Sequence, residues 1–280
     1  MSNHFNSILQ KANNLSDIYS ANNWFTQIAE YLLNSFYLIV ESELHRLAEI
    51  EFYCYAQQHP DLFTHRDSLQ LNYGRWYFHR NGGQYKGGSF KGLDLTFGDS
   101  IFYGGILIRS LELPDGRLIC GPSLCVDYLL EKTNALSVAN LDNIITNRLA
   151  WDSDNIISLQ STPEGKNNKI FRTARVGLSL KKATIENGMI SYILRPYRYL
   201  TEPLKINKGK PYLVLALHLL DTSIEEINQL TGCPKHIITK YIADFDTGYL
   251  GNDFSSYFGL DLNTKQLCKL HGTWHKNFSS

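Results

Sequence analysis

From Asn22 to Phe36 the apolar residues fall at Trp24, Phe25, Ile28, Ala29, Leu32 and Leu33, the spacing of one helical face, and predict a packed helix. The period then changes to two. Tyr37–Glu43 and Leu47–Tyr55 read as strands joined by a polar turn. In the second of these, Ala48, Ile50, Phe52 and Cys54 take one face and Glu49, Glu51, Tyr53 and Tyr55 the other. Taken alone, the second face reads as a solvated strand surface, since alternating Glu and Tyr are ordinary there. The strand leads into a loop that Pro60 keeps from being helical and that ends on His65.

Further strands are predicted at Arg75–Phe78, Leu93–Phe97 and Gly105–Leu113, with Pro114-Asp115-Gly116 turning the last into Arg117–Cys120. Gly121-Pro122-Ser123 opens a helix that runs to Leu130. Arg175–Leu180 and Met189–Leu194 also read as strands, and Arg195–Tyr199 as a basic aromatic edge. Antiparallel strands with helices around them make an α+β domain, a mixed, mainly antiparallel curved sheet, over residues 21–204. Residues 1–20 read as an arm or short helix, and 205–280 as a small, mostly helical module. Within that module Pro211–Leu220 supplies one helix, and Ser223–Ile242 resembles a helix-turn-helix: Ile227 and Leu230 pack the first helix, Gly232 makes the turn, and Ile238 and Ile242 pack the second. Lys235, His236, Thr239 and Lys240 would then be offered to DNA; a small helical bundle packing on the first domain is the competing reading.

Charge changes this picture through its distribution. The formal net charge is zero, which argues against a surface coated in cations, yet residues 1–65 hold only Lys11 and Arg46 against seven acids. Between 166 and 210 the balance reverses, with Arg175, Arg195 and Arg198 among eleven cations facing Glu186 and Glu202. A second basic run, Arg75, Arg80, Lys86 and Lys91, contains no acid. It brackets a glycine-rich loop, Asn81 to Gly92, whose Tyr85 and Phe90 could stack on bases while its backbone approaches phosphates; a flexible hairpin tip without a role gives the same composition. Its spacing is not that of a P-loop.

Five cysteines without a CxxC pair and no signal-like apolar run point to a reducing cytoplasm, and no stretch approaches the roughly 20 apolar residues of a membrane helix. Cys268, His271 and His275 have spacing that zinc could use, but no fourth ligand is evident nearby, and a core cysteine with surface histidines is the simpler reading.

Several segments, in order, resemble the alkyladenine (3-methyladenine, methylpurine) DNA glycosylases. Ala29-Glu30-Tyr31-Leu32-Leu33 is similar to that family's first helix, and Glu49-Ile50-Glu51-Phe52-Tyr53 to its Glu-x-Glu-Ala-Tyr strand. Arg75-Trp76-Tyr77-Phe78 stands where the family has an aromatic strand, and Gly105-Ile106-Leu107-Ile108-Arg109-Ser110-Leu111-Glu112 where it has an apolar-Arg-Ala-Leu-Glu strand. Gly121-Pro122-Ser123-Leu124-Cys125 resembles its Gly-Pro-x-x-Leu helix start, and Arg175-Val176-Gly177 and Arg195–Tyr199 its closing segments, so the likeness spans about Ala29 to Leu200.

The resemblance implies that Glu51 activates the hydrolytic water, with Arg109 beside it. Tyr53, His65 and Phe78 would wall the pocket for a flipped base, and Asp94 stands where the family has an Asn that helps reject guanine. The residue wedged into the duplex, usually Tyr, aligns with Asn81, with Tyr85 nearby. No lysine matches a nucleophile position, so simple hydrolysis without cofactor or metal is expected. The chemistry also stands on its own: breaking an N-glycosidic bond builds positive charge on the sugar, which a carboxylate stabilises while taking a proton from water. The expected partner is damaged double-stranded DNA, with single-stranded DNA or RNA as alternatives, bound by a monomer through Arg75, Arg80, Asn81, Tyr85, Lys86, Lys91, Arg175, Arg195 and Arg198. Two other functions fit the same residues: a non-catalytic nucleic-acid-binding protein on this scaffold, and a hydrolase of modified nucleosides or RNA.

Overall fold

The computed structural model describes residues 7–9, 15, 17–161, 165–184, 186 and 188–278; most of the expected N-terminal arm lies outside them. The chain is mixed α and β with a large antiparallel sheet, and it divides into two compact units. The first comprises residues 1–60, 64–170 and 199–201, the second 61–63, 171–198 and 202–280. This division falls elsewhere than the expected boundary at 204/205, because residues 171–198 cluster with the C-terminal helices.

The first unit opens with α1 (Ile18–Asn34), capped by the Asp17 side chain accepting from Ser20 N. Next come β1 (Phe36–Val40), β2 (Glu43–Tyr55), β3 (Tyr73–Phe78), a short hairpin of β4 (Arg80–Asn81) and β5 (Gln84–Tyr85), β6 (Leu93–Phe97), β7 (Tyr103–Glu112) and β8 (Leu118–Cys120). Two helices, α2 (Pro122–Lys132) and α3 (Val138–Ile145), precede β9 (Ile157–Ser161). Strand β2 is the longest and the centre: β1 pairs with its start, β7 with its length, and β6 and β3 follow outward. Ser161 to Ile157 of β9 pairs with β1, and β8 with the end of β7.

Helix α1 covers one face of this sheet with the apolar stripe that the sequence predicts, Trp24, Phe25, Ile28, Ala29, Leu32 and Leu33 all being buried. Phe25 stacks on Phe52 of β2 at 4.7 Å, and Trp24 meets Phe97 of β6 edge-on at 5.4 Å. Trp76, Phe78, Leu95 and Ile106 line the same side. That apolar packing forces the polar residues of the strands onto the opposite face, where they are buried as well.

The second unit holds β10 (Phe171–Thr173), α4 (Met189–Tyr192), the start of β11 (Arg198–Leu200), and α5 (Lys210–His218), α6 (Ile224–Thr231), α7 (Lys235–Tyr249) and α8 (Thr264–Phe278). Neither strand expected at Arg175–Leu180 nor that at Met189–Leu194 forms. The first becomes an irregular turn through Gly177 at φ 85°; the second starts a short helix after Gly188 at φ 69°. A short apolar run does not distinguish a buried strand from a buried helical turn, and here Ile190, Ile193 and Leu194 pack against Tyr212, Leu270 and Trp274. Helices α6 and α7 meet through Gly232 in the left-handed conformation; of the four residues expected to pack them, Ile227 and Ile238 are fully buried, and Leu230 and Ile242 half-buried.

Helices α7 and α8 cross closely at two glycines. A Cβ on Gly248 would lie 1.9 Å from the Lys269 carbonyl oxygen, and one on Gly272 would lie 1.9 Å from that of Phe245. Thr273 Oγ1 seals the crossing by donating to the Gly248 carbonyl at 2.9 Å. Gly272→Ala must therefore push the helices apart and is expected to destabilise the protein by roughly 2 kcal/mol or more, read as a lowered urea midpoint.

Candidate active site

Residues directly opposite across an antiparallel ladder point to the same face. Glu51 of β2 is opposite Leu107 of β7, Leu107 opposite Asp94 of β6, and Asp94 opposite Tyr77 of β3. One row thus carries Glu51, Asp94 and Tyr77, the backbone positions of the two acids lying two strand spacings, about 10 Å, apart. The next row is Tyr53, Gly105 and Thr96. This is the face away from α1.

Glu49 and Glu51 are buried, not solvated as the bare alternation suggests. Burial of two carboxylates requires donors, and β7 supplies them. Arg109 Nη1 donates to Glu51 Oε2 at 3.2 Å and Arg109 Nε to Glu49 Oε1 at 3.0 Å; Ser110 Oγ donates to Glu49 Oε2 at 2.5 Å. Tyr53 Oη adds a bond to Glu51 Oε2 at 2.8 Å. Consecutive residues of a regular strand cannot both reach one side. Here the register steps between the Glu49–Ser110 and Ile50–Ile108 pairs, and this irregularity turns Arg109 and Ser110 to the same carboxylate. Burial disfavours the Arg109 charge, but Glu51 and then Glu49 outweigh it and raise its proton affinity above the ordinary arginine value.

Asp94 anchors the other end. His79 Nε2 bonds its Oδ1 at 2.7 Å, and Gln70 Nε2 donates to Oδ2 at 3.2 Å. Two glycines make the room: a Cβ on Gly105 would stand 2.5 Å from Asp94 Oδ2, and one on Gly92 would stand 2.5 Å from His79 Nδ1. His65 meets the His79 ring edge-on at 4.3 Å, and Lys86 Nζ lies 2.8 Å from His65 Nε2. Burial among these neighbours, then the proximity of His79, pushes the His65 imidazole down to about 4, although part of the residue remains open to solvent. A neutral His65 accepts the Lys86 proton donor.

Of the expected pocket residues, Tyr53, Asp94, Glu51 and Arg109 share this face, and His65 joins it through His79. Phe78 does not. It is opposite Leu93, one residue out of phase with Asp94, and its ring belongs to the α1 side. Tyr77 takes its place, with its hydroxyl pKa raised by burial. His79 and Gln70 were not anticipated. Strict alternation along β3 would have found His79 after Tyr77; Gln70, in a single 3₁₀ turn, carries no sequence signal.

The expected DNA contacts divide. Arg175 and Arg198 are fully buried. Arg175 Nη1 pairs with Asp61 at 2.6 Å, and Arg198 donates to Thr173 Oγ1 and the Lys208 carbonyl, so both hold the second unit together rather than face a ligand. Arg195 is half-buried over the Trp274 ring at 5.2 Å and donates to the Ser191 carbonyl. Arg80 and Tyr85 both bond Asp142 of α3, at 2.6 and 2.7 Å, which removes Tyr85 as a free wedge. Lys91 pairs with Asp127. Asn81 is exposed at its hairpin, and Arg75 and Lys86 have no carboxylate partner among the described residues. In the second unit Lys235, His236, Thr239 and Lys240 are exposed on α7, with Lys235 paired to Glu225.

Among the described residues no cluster of His, Cys, Asp or Glu is arranged to hold a metal ion. His271 is buried edge-on against Tyr212 rather than at the surface, and burial lowers it to about 3. No helix among those residues is long and apolar enough to cross a membrane.

No family model matches the chain. It is 34% identical over 205 residues to the uncharacterized protein L759 of Acanthamoeba polyphaga mimivirus, an alignment covering 68% of this chain and 91% of that protein.

Two outcomes follow from the geometry. The folded His65 value lies below 6.5, so as pH falls the unfolded chain takes up this proton first. Stability should therefore drop between about pH 6.5 and pH 4 and level off outside that window, with the slope reduced in His65→Gln; a ring titration by NMR should place the midpoint near 4. Arg175→Met would leave Asp61 buried without its cation, and urea unfolding should register a loss of about 3–5 kcal/mol; a phosphate-contacting arginine would leave stability nearly unchanged.

Proposed function

The chain and that mimivirus protein belong to one family, and we propose that this chain hydrolyses N-glycosidic bonds of damaged purines in nucleic acid, with Glu51 activating the water. The observation that carries this reading is the polar row buried on one sheet face. A carboxylate fixed by Tyr53 and Arg109 stands two strands away from a hydrogen-bonded group of Asp94, His79 and Gln70.

Such an arrangement suits the reaction. As water attacks the anomeric carbon, the bond to the base nitrogen breaks and its electron pair leaves with the base. The developing sugar cation is stabilised by Glu51, which also receives the water proton. Arg109 and Tyr53 keep Glu51 in one position, so little reorganisation is needed. A base turned out of its stack would lie along the Tyr53 and Tyr77 side and be read by the Asp94, His79 and Gln70 edge, at an unstacking cost of a few kcal/mol. The acid on β2 and the arginine on β7 fall in the order of the alkyladenine glycosylases, which supports that fold. Asp94 in place of their Asn, and its bond to His79, make the pocket edge this chain's own.

One observation favours a second reading. At the glycine-rich loop, Arg80 and Lys91 are engaged by Asp142 and Asp127, which leaves Lys86 as its cation without a carboxylate partner among the described residues. A loop with so little free charge suits a modified nucleoside or short RNA better than two phosphate backbones.

Single-turnover base release from duplexes carrying methylated, deaminated or etheno purines should be abolished in Glu51→Gln by about 10²-fold or more, with binding retained. Release from free nucleosides alone would select the second reading. Binding without release from any substrate would leave a non-catalytic nucleic-acid-binding protein.

A further inference from the structure

Away from the Glu51 row, at the start of β3, lies a cavity of about 630 Å³ in the first unit. Its lining includes Asn72, Tyr73, Arg75, Phe97, Asp99 and Ser100. The volume is that of a small-ligand site. Arg75 is the unusual member. Its Nη1 is buried with no hydrogen-bond acceptor among the described residues, and such a donor is normally met by a water, an ion or a ligand. The backbone beneath it is fixed, since Arg75 N donates to Thr96 Oγ1 at 3.0 Å and Thr96 Oγ1 returns a bond to the Arg75 carbonyl at 3.2 Å. The backbone that carries the guanidinium is thus tied to β6.

A second polar group restricts what can bind. Asp99 sits in a tight turn closed by paired backbone bonds with Phe102, and its Oδ1 accepts from Ser100 N at 2.7 Å and Ser100 Oγ at 3.2 Å. A carboxylate on the lining repels a bare anion but accepts from hydroxyls. Tyr73 and Phe97 add apolar surface to the lining.

We propose that this cavity binds a sugar-phosphate unit, with the Arg75 guanidinium taking phosphate oxygens and the Asp99 carboxylate accepting from sugar hydroxyls. The site rests on the cavity and its arginine, not on the glycosylase reading. A sugar-phosphate unit can come from a free nucleotide or from the end of a nucleic-acid strand.

Calorimetric titration of the full chain with AMP, inorganic phosphate and a 5′-phosphorylated RNA oligonucleotide tests this. AMP should bind more tightly than inorganic phosphate, Arg75→Gln should weaken it by about tenfold or more, and Arg75→Lys should fall between. Asp99→Asn should erase the preference of AMP over phosphate. An oligonucleotide that competes with AMP identifies a strand end as the source, and one that does not identifies a free nucleotide; either supports the site. No AMP binding at millimolar concentration by folded protein, or equal binding by folded Arg75→Gln, overturns it. Base release can fail while AMP binds, and AMP binding can fail while bases are released, so the two ideas fall separately.

Discussion

One guanidinium, that of Arg109, satisfies two carboxylates buried on the neighbouring strand. Removing it would leave Glu49 and Glu51 with a charge imbalance in a dry interior, an arrangement far costlier than the same pair in water. The irregularity in the β2–β7 ladder exists at the same place: it lets Arg109 and Ser110 both turn toward Glu49. Strand register, the position of Glu51 and the direction of the Tyr53 hydroxyl are therefore one problem with one solution. A slip of one residue in this pairing would exchange the acids for Ile50 and Phe52 and break the α1 core as well.

The far wall is built by subtraction. Asp94 and His79 occupy space that side chains on Gly105 and Gly92 would fill, so this polar group depends on two positions that contribute no functional group. Polar satisfaction at both ends gives a rigid strip of donors and acceptors in a low-dielectric setting, where each is worth more than at the surface.

Much of this was legible from spacing. The stripe of α1, the alternation of β2 and the turn at Pro114-Asp115-Gly116 come from local periodicity, which tertiary packing here reinforces. What failed had physical causes. Arg175 and Arg198 look like surface cations in a basic run, but charge counts carry no information on depth, and Asp61, the partner of Arg175, is far away in sequence. Phe78 enters through the resemblance; the aromatic strand presents rings on both faces, and only the pairing with β6 says that Tyr77, not Phe78, shares the face of Asp94. Met189–Leu194 reads as a strand in sequence because its apolar run is too short to show a period of 3.6. The glycines at 92 and 105 were unreadable: their role is fixed by neighbours on other strands.

The way the chain is threaded bears on how it can assemble. Neither compact unit is a continuous stretch: Tyr199, Leu200 and Thr201 belong with the first, although they follow residues 171–198 of the second. Strand β11 lies along β2, Tyr199 packs on Phe52 at 5.4 Å, and Thr201 N donates to the Ala48 carbonyl at 3.0 Å. During synthesis the central strand thus waits, with one edge unpaired, until about 150 more residues have left the ribosome. No single cut yields a complete first unit, and the central strand is finished only by chain made after residues 171–198 of the second.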